Sequence, residues 1–505
     1  MALAPIHTRT RNRRIIRPVC VSKLRSIRGQ QESGRFMRNT HTGSWSELLK
    51  GRNGLRSLAL AGGVAVHAVN VYIVTTILPS VVGDIGGLEY YAWNTTLFVV
   101  ASILGSALSP QFLDRFGLRH AFLWAIAVFM LGTTVCAMSP SMPQLLLGRT
   151  AQGFGGGLLL GLSYSAVRIV FDERLWSRAM VLVSSMWGVA TLAGPAIGGI
   201  FAQTGHWRLA FWAVLPIAGL LALLVYTQIR QQLSASAKHA RSPLGKIALL
   251  AGSVLLVSVA SLSPDWGWNI AGIAAGLLMA VLIAKADNRA SIRLFPTGSY
   301  SARTALGSLY ACICLLSIGV TTEIYIPYFL QVIHAKSPLM AGYWTALMSA
   351  GWTLGSFISS GRSSATANRL IRTGPVVSTV SLALLAIMMP LGGLSHDSSH
   401  AADWLIVPLL GVGLGVGLCW PNLLTRVFKS APKGQENMAS AAITTLQLYA
   451  MAMGAALAGM VTNAAGFTQP GGLQGAQQAA AALFFVFACA PGLAIFMSRG
   501  ARKAA

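Results

Sequence analysis

After residue 56 the chain is a succession of apolar runs of about 20 residues, separated by short polar turns. A helix of that length, rising about 1.5 Å per residue, crosses a hydrocarbon layer of about 30 Å. Fourteen runs can be drawn: 57–82, 92–112, 120–138, 144–170, 179–203, 208–228, 246–263, 267–284, 304–332, 339–360, 374–394, 402–425, 437–463 and 479–498. The seventh and eighth are short and separated only by "SPDWGW" (263–268). The pattern predicts an all-α polytopic membrane protein with about 14 transmembrane helices. Composition agrees. Only 10% of residues are charged and 54% are hydrophobic, against about 25% charged in a soluble domain.

The net charge of +25 suggests nucleic acid until its distribution is considered. Residues 1–56 hold thirteen Lys/Arg and two acids, Glu32 and Glu47. Much of the remainder falls in alternate turns: Arg115 and Arg119; Arg174 and Arg178; Arg230, Lys238, Arg241 and Lys246; Lys285, Arg289, Arg293 and Arg303; Arg362, Arg369 and Arg372; Arg426, Lys429 and Lys433. The other turns hold Arg208 and Lys336 with Asp84, Glu89, Asp265, Asp397 and Asp403. Basic turns stay in the cytoplasm, so both termini are expected there, which needs an even number of crossings. The charge therefore reads as membrane orientation, with the lipid bilayer as partner and no nucleic acid.

The Arg-rich segment 1–36 is open to three readings: a translation start set upstream of Met37, contact with anionic lipid, or a transit peptide. Of the six cysteines, all but Cys20 lie in apolar runs. Cys312 and Cys314, at i and i+2, match no metal motif, so packing is the expected role. No metal cluster, nucleophile elbow or phosphate loop points to an enzyme.

Three stretches carry chemistry. "SPQFLDRFGLRHAF" (109–122) crowds Asp114, Arg115, Gly117 and Arg119 into one short basic turn. "LLLGRTAQGFGGG" (145–157) puts Arg149 inside the fourth run. A lone arginine in hydrocarbon costs about 2.5–3.5 kcal/mol, so it should face the protein interior. "ATLAGPAIGGI" (190–200) joins Pro195 to Gly194, Gly198 and Gly199, which thin the helix for a close crossing.

The first stretch resembles the signature loop of the major facilitator superfamily, with Pro110, Phe112 and Leu118 departing from the pattern. The resemblance implies that Asp114, Arg115, Gly117 and Arg119 form a cytoplasmic gating loop. Arg149, Gln152 and Gly153 resemble the superfamily's fourth-span motif, in which the arginine is tied to proton transfer. Gly194, Pro195, Gly198 and Gly199 resemble its antiporter motif. "IPYFLQVIHAKSPLMAGYWTALMSAG" (326–351), "GVGLGVGLCWPNLL" (411–424) and "NMASAAITTLQLYAMAMGAALA" (437–458) resemble the fourteen-span drug:proton antiporters, over about 56–498. The implied architecture is a basic, disordered cytoplasmic tail (1–55), a six-helix half (56–228), a cytoplasmic linker with two extra helices (229–303), a second six-helix half (304–498) and a cytoplasmic tail (499–505).

One position departs from those antiporters. Their first span carries an acid nine residues before its proline. In "HAVNVYIVTTILP" (67–79) that position is Asn70, which carries no proton near neutral pH. His67, one turn earlier, can titrate, although a buried histidine is more often a packing residue. Beyond residue 56, Glu323 is the one acid well inside a run. Burial disfavours a carboxyl's charged form, and a group that changes charge as access alternates is what proton coupling requires. Glu323 therefore takes over the role vacated at Asn70 or binds a cationic substrate. The bland alternatives are static pairing with Arg149 or a neighbouring span, and a position near the membrane surface.

The expected site thus has Glu323, Arg149 and His67 in proton coupling. Asn70, Trp187, Tyr325, Tyr328, Gln331, Trp352, Trp420, Asn422, Gln447 and Tyr449 are expected to line a cavity for an amphipathic or cationic small molecule. The expected activity is multidrug-type efflux in exchange for protons by rocker-switch alternating access. It needs no cofactor beyond the proton gradient and is served by a monomer in a bacterial inner membrane. A metabolite carrier of the same superfamily and a non-transporting membrane sensor are the alternatives.

Overall fold

Backbone in hydrocarbon must satisfy its own hydrogen bonds, so the apolar runs become helices. The computed structural model describes residues 44–231, 244–263, 265–391 and 402–501, which contain helices and turns and no strand. The helices are α1 (Gly51–Ile85), α2 (Trp93–Ala137), α3 (Met142–Val170), α4 (Glu173–Gln203), α5 (Trp207–Gln228), α6 (Leu244–Ala260), α7 (Trp266–Arg289), α8 (Ala305–Val320), α9 (Ile326–Val332), α10 (Pro338–Ser359), α11 (Ser364–Met388), α12 (Ile406–Ser430), α13 (Glu436–Ala464) and α14 (Gly472–Ala501). A short helix, Trp45–Leu49, precedes them. Cys20, Lys238, Arg241, Asp397 and most of the basic tail lie outside the described residues.

Among the described residues, eleven helical segments are long and apolar enough to cross a membrane. This differs from the expected fourteen at three places. α2 runs on through the turn expected between 112 and 120, α6 has only 17 residues, and α10 is diluted by glycine, serine, threonine and tryptophan. Within α2 the backbone is broken at Gly117 (φ 69°, ψ 169°), a conformation confined almost entirely to glycine.

α1 packs on α3, α4 and α5, and α2 on α3 and α5. A second group forms where α8 meets α12, α13 and α14, α10 meets α12, and α11 meets α12 and α14. The groups touch where α4 meets α10, α2 meets α13, and α9 meets α1. α6, paired with α7, docks on both α2 and α13.

The two ends of the bundle differ in charge. At one end Gln231 Nε2 donates to the Phe116 carbonyl (2.6 Å), and Gln435 Oε1 accepts from the Thr297 backbone (2.9 Å). The arginine-rich turns and helix ends gather there. At the distal end Asn463 Nδ2 donates to the carbonyls of Glu89 (3.3 Å) and Ser261 (3.2 Å). The two distal basic residues both face acids: Arg208 lies 2.6 Å from Asp84, and Lys336 lies 3.8 Å from Asp403. Arg369, Arg372, Arg426 and Lys429, expected in turns, sit on helix ends instead.

Candidate functional site

α3 begins just inside the distal end, so Arg149 enters the bundle two turns down and is 2% exposed. Its Nη1 donates to Asn70 Oδ1 (2.6 Å) and Gln152 Oε1 (2.7 Å), and its Nε to the Asn94 carbonyl (3.4 Å). The guanidinium lies 4.1 Å from the Phe98 ring centroid. Gln152 Nε2 donates onward to Thr133 Oγ1 (2.9 Å). No carboxylate among the described residues is in ion-pair reach of Arg149. Neutral oxygens solvate a buried cation here. His67, one turn before Asn70, stacks on Phe98 (5.2 Å) and meets Trp187 edge-on (5.9 Å). Its Nδ1 and the Asn70 Nδ2 are buried without hydrogen-bond partners among the described residues. The structure therefore brings His67, Asn70, Arg149 and Trp187 into one cluster.

Glu323 occupies a break in its span. The expected continuous helix 304–332 is interrupted by a 3-10 turn, Thr321–Ile324, between α8 and α9. Pro327, in the first turn of α9, supplies the cause. Its ring crowds the carbonyl four residues back, that of Glu323, and its nitrogen donates no hydrogen bond. Thr321, Thr322 and Ile324 are buried, whereas Glu323 is only half-buried. Its carboxylate makes no ion pair or hydrogen bond among the described residues, so the static pairing with Arg149 is not formed here. It lies within Coulombic range of the Tyr72 hydroxyl. Tyr72 sits just past the midpoint of the 35-residue α1, which puts the carboxylate inside the bundle.

Tyr72 was not among the expected site residues. Its hydroxyl lies 2.9 Å from Ser349 Oγ on α10 and so joins the two helix groups. The antiporter-like stretch holds it in place. A Cβ on Gly194 would run into the Tyr72 Cβ and lie 3.2 Å from the Ile73 nitrogen. One on Gly198 would lie 2.9 Å from the Ile73 carbonyl, and one on Gly199 would lie 2.6 Å from Leu339 Cα on α10. Pro195 faces Gly342. A phenol two residues past Asn70 in an apolar run was a usable signal, but its crossing partner was not readable.

The other expected cavity residues scatter. Tyr325 and Tyr328 join Tyr91 (4.9 and 5.6 Å) and Phe467 (5.2 and 4.7 Å) in an aromatic plug at the distal end. Thr462 Oγ1 donates to the Tyr325 hydroxyl (2.9 Å). Trp352 and Trp420 meet edge-to-face at 4.9 Å. Asn422 Nδ2 donates to Ser359 Oγ (2.7 Å) near the basic end. The Tyr449 hydroxyl turns to Ser253 of α6 (3.1 Å). Gln331 Nε2 is buried without a partner, and Gln447 is half-buried. In the loop at the break of α2, Asp114 and Arg115 are exposed, Arg115 lies over Phe116 (5.4 Å), and Arg119 lies over Tyr226 (5.2 Å).

The family model described as Major Facilitator Superfamily matches residues 60–455. The chain belongs to the major facilitator superfamily. It is 37% identical to a Mycobacterium tuberculosis protein named "probable multidrug-efflux transporter", over 84% of this chain and 91% of that relative. It is 24% identical to multidrug resistance protein 3 of Bacillus subtilis, over 80% and 78% of the two chains. The fold matches a crystal structure of the peptide transporter POT (TM-score 0.64, 15% identity, 89% of this chain and 94% of that one). It also matches a D-xylose-proton symporter (TM-score 0.61, 13% identity, 89% and 99%). This superfamily protein is thus an integral membrane transporter of small molecules rather than an enzyme.

Proposed function

We propose that this transporter exports amphipathic or cationic small molecules in exchange for protons by rocker-switch alternating access. The observation that carries the reading is Glu323: a half-buried carboxylate inside the bundle, on a break in a span, without an ion pair or hydrogen bond among the described residues, and within Coulombic range of Tyr72, whose hydroxyl meets Ser349 across the helix groups. A group so placed can take a proton from one side and a cation from the other. The efflux names of the relatives support the substrate class. In the state described, the distal side is shut by the plug around Tyr91 and by α4 on α10, while Asp114 makes no ion pair among the described residues. The halves would rock about the Tyr72–Ser349 link, with both termini in the cytoplasm of a bacterial cell. Reading α2 as two crossings that meet at Gly117, and α6 and α10 as crossings too, would bring the eleven long apolar segments among the described residues to the fourteen proposed.

Asn70, standing where an acid is expected, favours a second reading as a passive facilitator. Purified transporter in liposomes, loaded with a fluorescent cationic dye and given an imposed pH gradient, separates the two. Antiport concentrates the dye against its gradient until an ionophore collapses the pH difference. A facilitator only equilibrates it.

A further inference from the structure

At the basic end the start of α1, the break in α2 and the ends of α3 and α5 border a small open cavity of about 50 Å³. Arg56, Arg230 and Gln228 supply its polar lining, and Leu118, Ile169 and Ile229 its apolar wall. Neither arginine side chain makes an ion pair or hydrogen bond among the described residues. Of the acids at this end, Glu47 and Asp172 lie 2.6 and 3.6 Å from Arg174, while Asp114 and Glu173 are exposed and make no ion pair among the described residues. A third guanidinium, that of Arg119, lies over Tyr226 one turn before Arg230, and its Nε is buried without an acceptor. Gln231 Oε1 is a further buried atom without a partner among the described residues. Just inside the basic end the same helices turn apolar side chains outward, with Leu223 and Tyr226 both 59% exposed and Ile169 37% exposed.

Two arginines lining one small cavity, half-buried Arg56 and exposed Arg230, call for an anion with several oxygens, and a phosphate group fits that chemistry. The depth of the cavity identifies the source. It opens where an apolar exterior gives way to a basic rim, which is the level of phospholipid headgroups. We propose that this cavity binds the phosphate of an anionic phospholipid, with the acyl chains lying along Ile169 and Leu223. The occupant bridges four helix ends beside the Gly117 break, where Leu118 lines the cavity and Gln231 holds the Phe116 carbonyl (2.6 Å).

The test is native mass spectrometry of the full chain in neutral detergent, titrated with phosphatidylglycerol or phosphatidylcholine. Wild type should retain phosphatidylglycerol in preference. Arg56→Gln/Arg230→Gln should bind it about thirty-fold more weakly, about fivefold for each arginine near an anionic surface. Arg56→Lys/Arg230→Lys should keep most of the affinity, which guards against misfolding as the cause. Arg369→Gln, an exposed basic-end arginine on the other helix group, should bind as wild type does. Equal retention by wild type and the Gln pair would overturn the site, as would an equal loss in Arg369→Gln. Displacement of the lipid by millimolar inorganic phosphate would overturn the lipid assignment in favour of a free phosphate.

Discussion

Gly194→Ala tests whether the antiporter-like stretch acts by placing Tyr72. The added methyl would collide with the Tyr72 Cβ and press on the Ile73 backbone, so α1 and α4 must part. Overpacking of this kind costs about 1–3 kcal/mol. If the shift carries the Tyr72 hydroxyl away from Ser349, now 2.9 Å distant, a further 0.5–1.5 kcal/mol or about that is lost. Alanine returns about 1 kcal/mol of helix propensity. The expected net cost is about 1–3 kcal/mol. Gly188→Ala on the same helix meets open space and should gain up to about 1 kcal/mol. Thermal denaturation of purified protein should therefore order the variants Gly188→Ala, wild type, Gly194→Ala, from most to least stable. Combining Gly194→Ala with Tyr72→Phe should cost less than the two separate effects, because both remove the same hydrogen bond. Equal stability of the two alanine variants would refute the reasoning.

Gly117→Ala should destabilise the transporter by about 1–3 kcal/mol, since φ 69° with ψ 169° suits only glycine; a thermal shift reads it. Asn70→Asp should raise thermal stability by giving the buried Arg149, now 2.6 Å from a neutral oxygen, a counter-charge; a fall would show that Arg149 is already satisfied. His334, in the distal turn, lies 2.9 Å from the Met389 carbonyl. Burial, and then the Lys336 cation, hold its pKa below the ordinary histidine range, against the raising effect of the Met389 bond. With the folded pKa depressed, its contribution to stability is full above about pH 6.5 and is lost as pH falls toward the folded value. Melting temperatures of His334→Gln should therefore fall less with acidification than those of wild type.

The helices were legible because hydrocarbon forces apolar runs into helices, although the runs 92–112 and 120–138 share α2 and the run 304–332 is divided between α8 and α9. The buried arginine was legible for the same reason: the cost of a cation in lipid dictates that Arg149 face inward. The breaks were less so. Gly117 in a charged turn signalled the break in α2, yet the run of helix on both sides concealed how little chain it takes. Pro327 stood four residues after Glu323, but a proline in an apolar run kinks or ends a helix depending on its neighbours. Orientation was the least legible feature. A helix apolar on every side has no stripe to read, so Tyr449 turned out to face Ser253 of α6, and Tyr325 and Tyr328 to face Tyr91 and Phe467. Tyr72 was missed because its role depends on a crossing with α4 and α10 that spacing within one helix does not encode.

The central claim rests on Glu323. Wild type and Glu323→Gln, each reconstituted in liposomes with a pH-sensitive dye inside, should be compared as cationic drugs are added. The account predicts that drug addition moves protons through wild type and not through Glu323→Gln, while the variant still binds the drug. Equal proton movement through both would make the carboxylate structural and contradict the account.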